Sequence, residues 1–401
     1  LKPLHVPFPV RAAFTACAFA LCLGTSALAQ SPAKARPAAQ AKAPAYSYSQ
    51  SEVAMAFATD LAERRNLDPA WVRQQIGSAL RIPTVIRLMQ PAPSGSPKNW
   101  AAYRARFIEP IRLRAGQRFW DANRDTLARA EAEFGVPASL IVGVIGVETL
   151  YGQHTGNFRV IDALTTLAFD FPASHPRAAT RSEFFRSELE QFLSLAERTG
   201  TDPASYLGSY AGAMGWPQFM PSSWVKYAID FDADGKVDLF NSQADVIGSV
   251  ANYFKAFGWK PGMPTHYPVR FAPGQTKEDF ETLLAPDILP SFSVESFTAK
   301  GAVLEGAALQ HPGQLALVEL QNAGAPSSYV AGTDNFYVVT RYNWSSYYAL
   351  AVIELGEAVR GLVCNDRPAS APELNAPANP SAESRSSNPP PVLPSSAACG
   401  R

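Results

Sequence analysis

Eight consecutive residues, Leu140-Ile141-Val142-Gly143-Val144-Ile145-Gly146-Val147, carry no polar side chain, and the ninth is Glu148. A helix that is apolar on every face has no side to turn toward water, so it must lie at the centre of a fold. Pro137 is a fitting first residue for it, since proline costs no hydrogen bond there, and Gly152 marks its expected end. Glu148 therefore sits where a carboxylate is poorly solvated, and the loss of water raises its pKa. The negative end of the helix dipole pushes the same way. Both effects favour a protonated acid that can donate near neutral pH. A buried glutamate paired with an arginine, or one at a helix end facing solvent, would read the same, so the neighbours must decide.

The rest of the folded body is mostly helical. In 52–80, Phe57, Leu61, Trp71, Ile76 and Leu80 recur at helical spacing, with Asp68 as a cap before Pro69. A helical stretch follows from Trp100 to Phe134, with Tyr103, Phe107, Phe119, Trp120 and Leu127 as its buried residues. Further helices are predicted over Asp162–Phe169, Glu183–Arg198, Ser222–Ile229, Ala244–Phe257 and Trp344–Arg360. From Met263 to about Val339 the helical periods give way to Pro, Gly and β-prone pieces, Leu315–Leu320 and Phe336–Thr340. No solenoid repeat is present.

The charges balance, 35 basic against 35 acidic, so no global field recruits nucleic acid. Four cysteines are too few for a disulfide framework and include no CxxC pair. An aromatic content of 11% excludes a wholly disordered chain. Residues 1–29 read as an export signal: Lys2 and Arg11 flank an uncharged apolar run that ends in the small-x-small Ala27-Leu28-Ala29. The run is shorter than the ~20 residues that span a bilayer, and neither Cys17 nor Cys22 has a lipoprotein context, which favours a soluble exported form over a lipid anchor. Cys364 and Cys399 would then share an oxidising compartment where they could pair. Residues 30–49 read as a linker and 366–401 as a Pro- and Ser-rich tail, both expected to be disordered because they bury too little apolar surface.

Two segments carry the chemistry. Gly208–Ser223 mixes Gly and Ala, which let the backbone approach a ligand, with the apolar faces of Trp216, Phe219 and Met220 and the polar groups of Ser209 and Gln218. Such a mixture suits a sugar, and it also suits a glycine-rich turn beside core aromatics. Asp230–Asn241 then sets carboxylates at loop positions one, three, five and nine, with Gly235 sixth and Lys236 offering its carbonyl. This is the spacing of an EF-hand-like calcium loop. The twelfth position is Asn241 rather than Glu, and Asp245 is the other residue able to close the cage. With no His or Cys in the loop, a soft transition metal is not expected.

These segments, together with Gly143–Thr149, Gly248-Ser249-Val250-Ala251-Asn252-Tyr253-Phe254 and Thr340-Arg341-Tyr342-Asn343, occur in this order in the lytic murein transglycosylase B family, which the chain resembles from about Val53 to Arg360. The resemblance implies a mainly α protein: a lysozyme-like helical core with an extra helical domain, a small β-containing insertion and the calcium loop. The divisions expected are a helical domain at 50–136, the catalytic core at 137–262, the insertion at 263–339 and a helix returning to the core at 340–365. It implies cleavage of the β-1,4 bond between N-acetylmuramic acid and N-acetylglucosamine in peptidoglycan, leaving a 1,6-anhydromuramyl end. Glu148 takes the place of the acid and base. Ser209, Gln218, Phe219, Tyr253, Tyr337 and Tyr342 take those of saccharide contacts. Asp230, Asp232, Asp234, Lys236 through its carbonyl, and Asp238 or Asp245 take those of ligands to a structural Ca2+, with no organic cofactor. The implied setting is a periplasmic monomer acting on glycan strands, with cell-wall synthesis or remodelling proteins as the partners to expect and no nucleic acid. A hydrolysing muramidase with the same acid, a non-catalytic peptidoglycan binder and a calcium-controlled partner-binding protein are the competing readings.

Overall fold

The computed structural model describes residues 46–91 and 97–365. The expected signal, most of the linker, the tail and Cys399 lie outside them. Cys364 is disulfide-bonded.

The chain opens with α1 (Glu52–Arg65), α2 (Pro69–Ser78) and α3 (Pro83–Leu88). Ser51 and Asp68 accept hydrogen bonds from the backbone N–H groups of Ala54 and Trp71, capping the first two helices. Order begins earlier than composition suggests. Tyr48, inside the segment read as linker, is 1% exposed. It donates its hydroxyl to Asp170 at 2.5 Å and its N–H to the Ala79 carbonyl. One well-buried aromatic outweighs the polar residues around it.

The stretch read as a single helical block is three helices, α4 (Trp100–Ala105), α5 (Pro110–Ala122) and α6 (Arg124–Phe134). Pro110 cannot continue a preceding helix, and Glu109 caps the new one by accepting from Ile111 and Arg112. The apolar run forms α7 (Ala138–Thr149), with Pro137 as its cap rather than its first residue, and every residue from Ala138 to Gly146 is buried. Next come β1 (Phe158–Arg159), α8 (Val160–Phe169), α9 (Ala178–Thr199), β2 (Leu207–Gly208), α10 (Pro221–Tyr227) and α11 (Gln243–Ala256), with β1 and β2 pairing antiparallel.

The β-containing part holds β3 (His266–Pro268), β4 (Arg270–Phe271), α12 (Lys277–Leu284), α13 (Val294–Ala299), β5 (Ala302–Val303), β6 (Ala316–Asn322) and β7 (Ala325–Gly332). Strands β3, β7 and β6 form an antiparallel sheet in that order, and β4 pairs with β5. Alternation along β6 joins two cores. Ala316, Val318 and Leu320 face the main core, while Leu317 joins Leu283, Phe297, Leu304 and Ala331 in a smaller one.

Phe336–Thr340, read as β-prone, is instead within α14 (Asp334–Thr340). Thr333 caps it by accepting from the Asn335 N–H at 3.1 Å, and burial of Phe336, Val338 and Val339 overrides their β preference. The chain ends in α15 (Ser346–Asn365).

Helices α7 and α15 run antiparallel through the centre, so close that main chains touch. A Cβ at Gly143 would strike the Val352 carbonyl, and one at Gly356 would strike the carbonyl of Ser139. This register has one decisive consequence. It sets the last turn of α7, with Glu148, opposite the first turn of α15, with Tyr348.

Candidate active site and acidic loop

Glu148 Oε1 accepts a hydrogen bond from the Tyr348 hydroxyl at 2.5 Å. The residue keeps some solvent access, but burial of its carboxyl is the largest influence on its proton. Burial raises the pKa to about 7 from an ordinary 4.5, against the opposing pull of Tyr348. No second carboxylate and no basic group among the described residues acts on it. The alternative of a glutamate paired with an arginine therefore does not hold.

Tyrosines surround the acid. Tyr348 stacks on Tyr342 with centroids 6.3 Å apart and planes 14° from parallel. Tyr342 meets Tyr253 at 4.8 Å and Phe219 at 5.9 Å. On another side Tyr103 is held near 12 by burial and by the charge of Glu148. Two of these hydroxyls are anchored to backbone: Tyr253 donates to the Arg341 carbonyl at 2.7 Å, and Tyr342 to the Pro217 carbonyl at 2.5 Å. Burial, then the charge of Glu148, keeps the Tyr342 phenol far from ionising. The wall is aromatic, rigid and uncharged.

The glycine-rich segment folds over the end of α7. Thr149 Oγ1 donates to the Trp216 carbonyl at 3.0 Å, and Gln218 Nε2 donates to the Thr155 carbonyl at 3.1 Å. Gly156 abuts the Gly208 carbonyl so closely that a Cβ there would collide. Met214 and Phe219 exchange backbone hydrogen bonds, turning the chain back on itself.

The expected saccharide residues divide into four groups. Tyr342 and Gln218 are half-buried; Tyr342 stacks on Tyr348 beside the acid, while the Gln218 amide is bonded to the Thr155 and Gly215 carbonyls. Phe219 and Tyr253, at 2% and 6% exposure, stand behind that surface as packing. Ser209 is buried, its Oγ accepting from the Ala211 and Ala213 N–H groups and shaping the turn. Tyr337 stands outside the ring cluster, edge-on to Trp344 at 5.9 Å.

The acidic loop gathers fewer residues than its spacing suggests. Carboxylate oxygens of Asp230, Asp232 and Asp245 lie within 4.8 Å of one another. Asp245 completes the group of three, and the Asn241 amide nitrogen donates to Asp238. Asp238 accepts from the Phe240 and Asn241 N–H groups and acts as a turn cap. Asp234 accepts from the Lys236 N–H. Asp245 is fixed by the N–H groups of Phe231 and Asp238 at 2.6 and 2.7 Å. Burial raises its pKa, and the charges of Asp232 and Asp230 add to the rise. Three converging carboxylates with only oxygen donors fit a hard divalent cation. Beyond them the loop supports the site: the Leu239 and Phe240 carbonyls accept from the Trp216 N–H and indole N–H, both at 2.9 Å.

Proteins similar to this chain in sequence and fold have named activities. The pattern of the Transglycosylase SLT domain family matches residues 49–357. Membrane-bound lytic murein transglycosylase B of Escherichia coli (strain K12) is 38% identical over 314 residues, which is 76% of this chain and 82% of that protein. This chain belongs to that transglycosylase family. The lytic transglycosylase Slt35 of Escherichia coli in complex with calcium is 37% identical, superimposes with a TM-score of 0.68, and spans 79% of this chain and 95% of that one. SltB3 of Pseudomonas aeruginosa in complex with NAG-anhNAM-pentapeptide is 27% identical with a TM-score of 0.61, over 76% of this chain and 79% of its own. The fold is accordingly lysozyme-like and mainly helical, and the family's chemistry is that of a lyase acting on peptidoglycan.

Tyr348 was not singled out from the sequence. It lies 200 residues from Glu148, in the helix predicted over Trp344–Arg360. Only the antiparallel register of α7 and α15 pairs the two.

Proposed function

We propose that this chain cleaves the β-1,4 bond between N-acetylmuramic acid and N-acetylglucosamine, using Glu148 first as acid and then as base. The observation that carries the reading is a single carboxyl group poised near pH 7 among uncharged phenols. Hydrolysing glycosidases ordinarily use two carboxylates. A substrate that brings its own nucleophile needs one.

With Oε1 engaged by Tyr348, the proton rests on Oε2. It passes to the glycosidic oxygen as the bond from that oxygen to C1 breaks. The muramic N-acetyl group stabilises the positive C1. The Glu148 carboxylate then takes the proton from the muramic 6-hydroxyl as O6 bonds to C1, which closes the anhydro ring and restores the acid. No water is consumed. The attack is intramolecular, which lowers its entropic barrier. Tyr342 and Gln218 offer the ring face and amide edge a sugar would meet, with Phe219, Tyr253 and Ser209 supporting them from behind.

Asp230, Asp232 and Asp245, with the Lys236 carbonyl and Asp234, would hold a structural Ca2+, whose chemistry is to neutralise these carboxylates and tie the loop to α11. Export to the periplasm and a monomeric state fit this activity, as do partners among cell-wall synthesis and remodelling proteins. Mass spectrometry of sacculi digested with the protein tests the reading. Anhydromuramyl ends are expected, and reducing muramic ends would instead make the protein a hydrolysing muramidase.

A further inference from the structure

A cation stands at the edge of the tyrosine wall with no acid among the described residues to answer it. Arg341 follows α14 and precedes Tyr342 directly. Its guanidinium carbon lies 5.5 Å from the ring centroid of Phe257, 5.8 Å from Tyr337 and 5.4 Å from Trp344. One N–H reaches the Tyr337 hydroxyl at 3.4 Å. Arg341 and all three rings are half-buried, so this rack is open to solvent on one side. Among the described residues, no carboxylate forms an ion pair with Arg341. The backbone is fixed as well, since its carbonyl receives the Tyr253 hydroxyl. That phenol, its proton held on chiefly by burial, feels the charges of both Arg341 and Glu148, so the cation and the acid flank the same tyrosine.

Ring faces orient a guanidinium and leave its charge unneutralised. Its planar fork of donors matches a carboxylate in geometry, and here most of those donors remain available. Because the side chain is already ordered, little further entropy is lost when an anion arrives. Peptidoglycan presents carboxylates close to the bond that is cut. The lactyl arm of muramic acid ends in one where the strand carries no peptide, and the stem peptide supplies others where it does.

We propose that Arg341 is a specificity-determining residue, binding a carboxylate of the muramyl side arm beside the acid. The assignment rests on the proposed function and names its missing contact. Phe257, Tyr337 and Trp344 position the guanidinium, which gives Tyr337 a role through Arg341 rather than through the sugar.

The test compares KM and kcat for wild type, Arg341→Met and Arg341→Lys. Three substrates are used: strands bearing stem peptides, strands stripped of peptides by an amidase, and stripped strands whose lactyl carboxyl has been reduced to the alcohol. Arg341→Met is expected to raise KM about tenfold on a carboxylate-bearing strand, with kcat, its pH profile and the melting temperature unchanged. Arg341→Lys keeps the charge without the fork and falls between. A rise on stripped strands but not on reduced ones assigns the lactyl carboxylate, and a rise confined to peptide-bearing strands assigns the stem peptide. An equal rise on reduced strands, or no rise on any, overturns the proposal. Wild type gives an answer without any variant: an unchanged KM across all three substrates also overturns it. Absence of anhydro products from wild type is a different failure, that of the transglycosylase reading itself.

Discussion

Two regions of this molecule bury carboxyl groups, and they do so to opposite ends. Glu148 is set among phenols with one hydroxyl as its partner, and burial alone carries its pKa to about 7. Asp245 is also buried, but two backbone N–H groups hold its charged form and two further aspartates crowd it. The first environment keeps a proton available for transfer. The second keeps charge in place for a cation to neutralise. Burial raises a carboxyl pKa in both, and the polar groups around it decide whether a proton or a metal ion answers.

The largest effect expected is at the acid. Glu148→Gln should lower kcat about a thousandfold or more while glycan affinity stays within a few fold. Retained turnover would remove Glu148 from the chemistry. Next is its partner. Tyr348→Phe deletes the one hydrogen bond that favours the ionised carboxyl, so the basic limb of the pH–rate profile should move up by roughly one unit. A profile that stays in place would break the link between the two helices.

The loop should respond in stability instead. A chelator should lower the melting temperature of wild type by roughly 4 °C or more. The difference should vanish in Asp245→Asn and persist in Asn241→Ala. If Asn241 proved the sensitive position, the division of roles in the loop would be reversed.

The smallest effect carries a sign. A carboxyl whose pKa is raised in the folded state gives stability that is full below about 4.5 and lost as pH rises through about 7, because the unfolded chain releases its proton first. Glu148→Gln escapes that loss. It should therefore melt roughly 2 °C or more above wild type at pH 8 and together with it at pH 4. The opposite trend would mean that Glu148 ionises readily where it stands.

Much of this was legible in the sequence. The uncharged run fixed α7 at the centre and marked Glu148, because nothing but burial accommodates such a helix. The loop spacing marked Asp230 and Asp232 for the same local reason. What sequence could not carry was long-range register. Tyr348 reaches Glu148 only because Gly143 and Gly356 let two helices touch, and Tyr103 arrives from a third. Composition also misjudged the start of the fold at Tyr48, whose burial depends on Asp170 far along the chain. Phe336–Thr340 became helix because a Thr333 cap and tertiary packing outweighed its β-branched residues.

The central claim is a proton retained on one side chain, and it can be watched directly. Protein labelled with 13C at glutamate carboxyls would be titrated by NMR, with Glu148→Gln identifying the signal. A carboxyl titrating near pH 7 is the predicted result. One titrating near 4.5, like an exposed glutamate, would contradict the account.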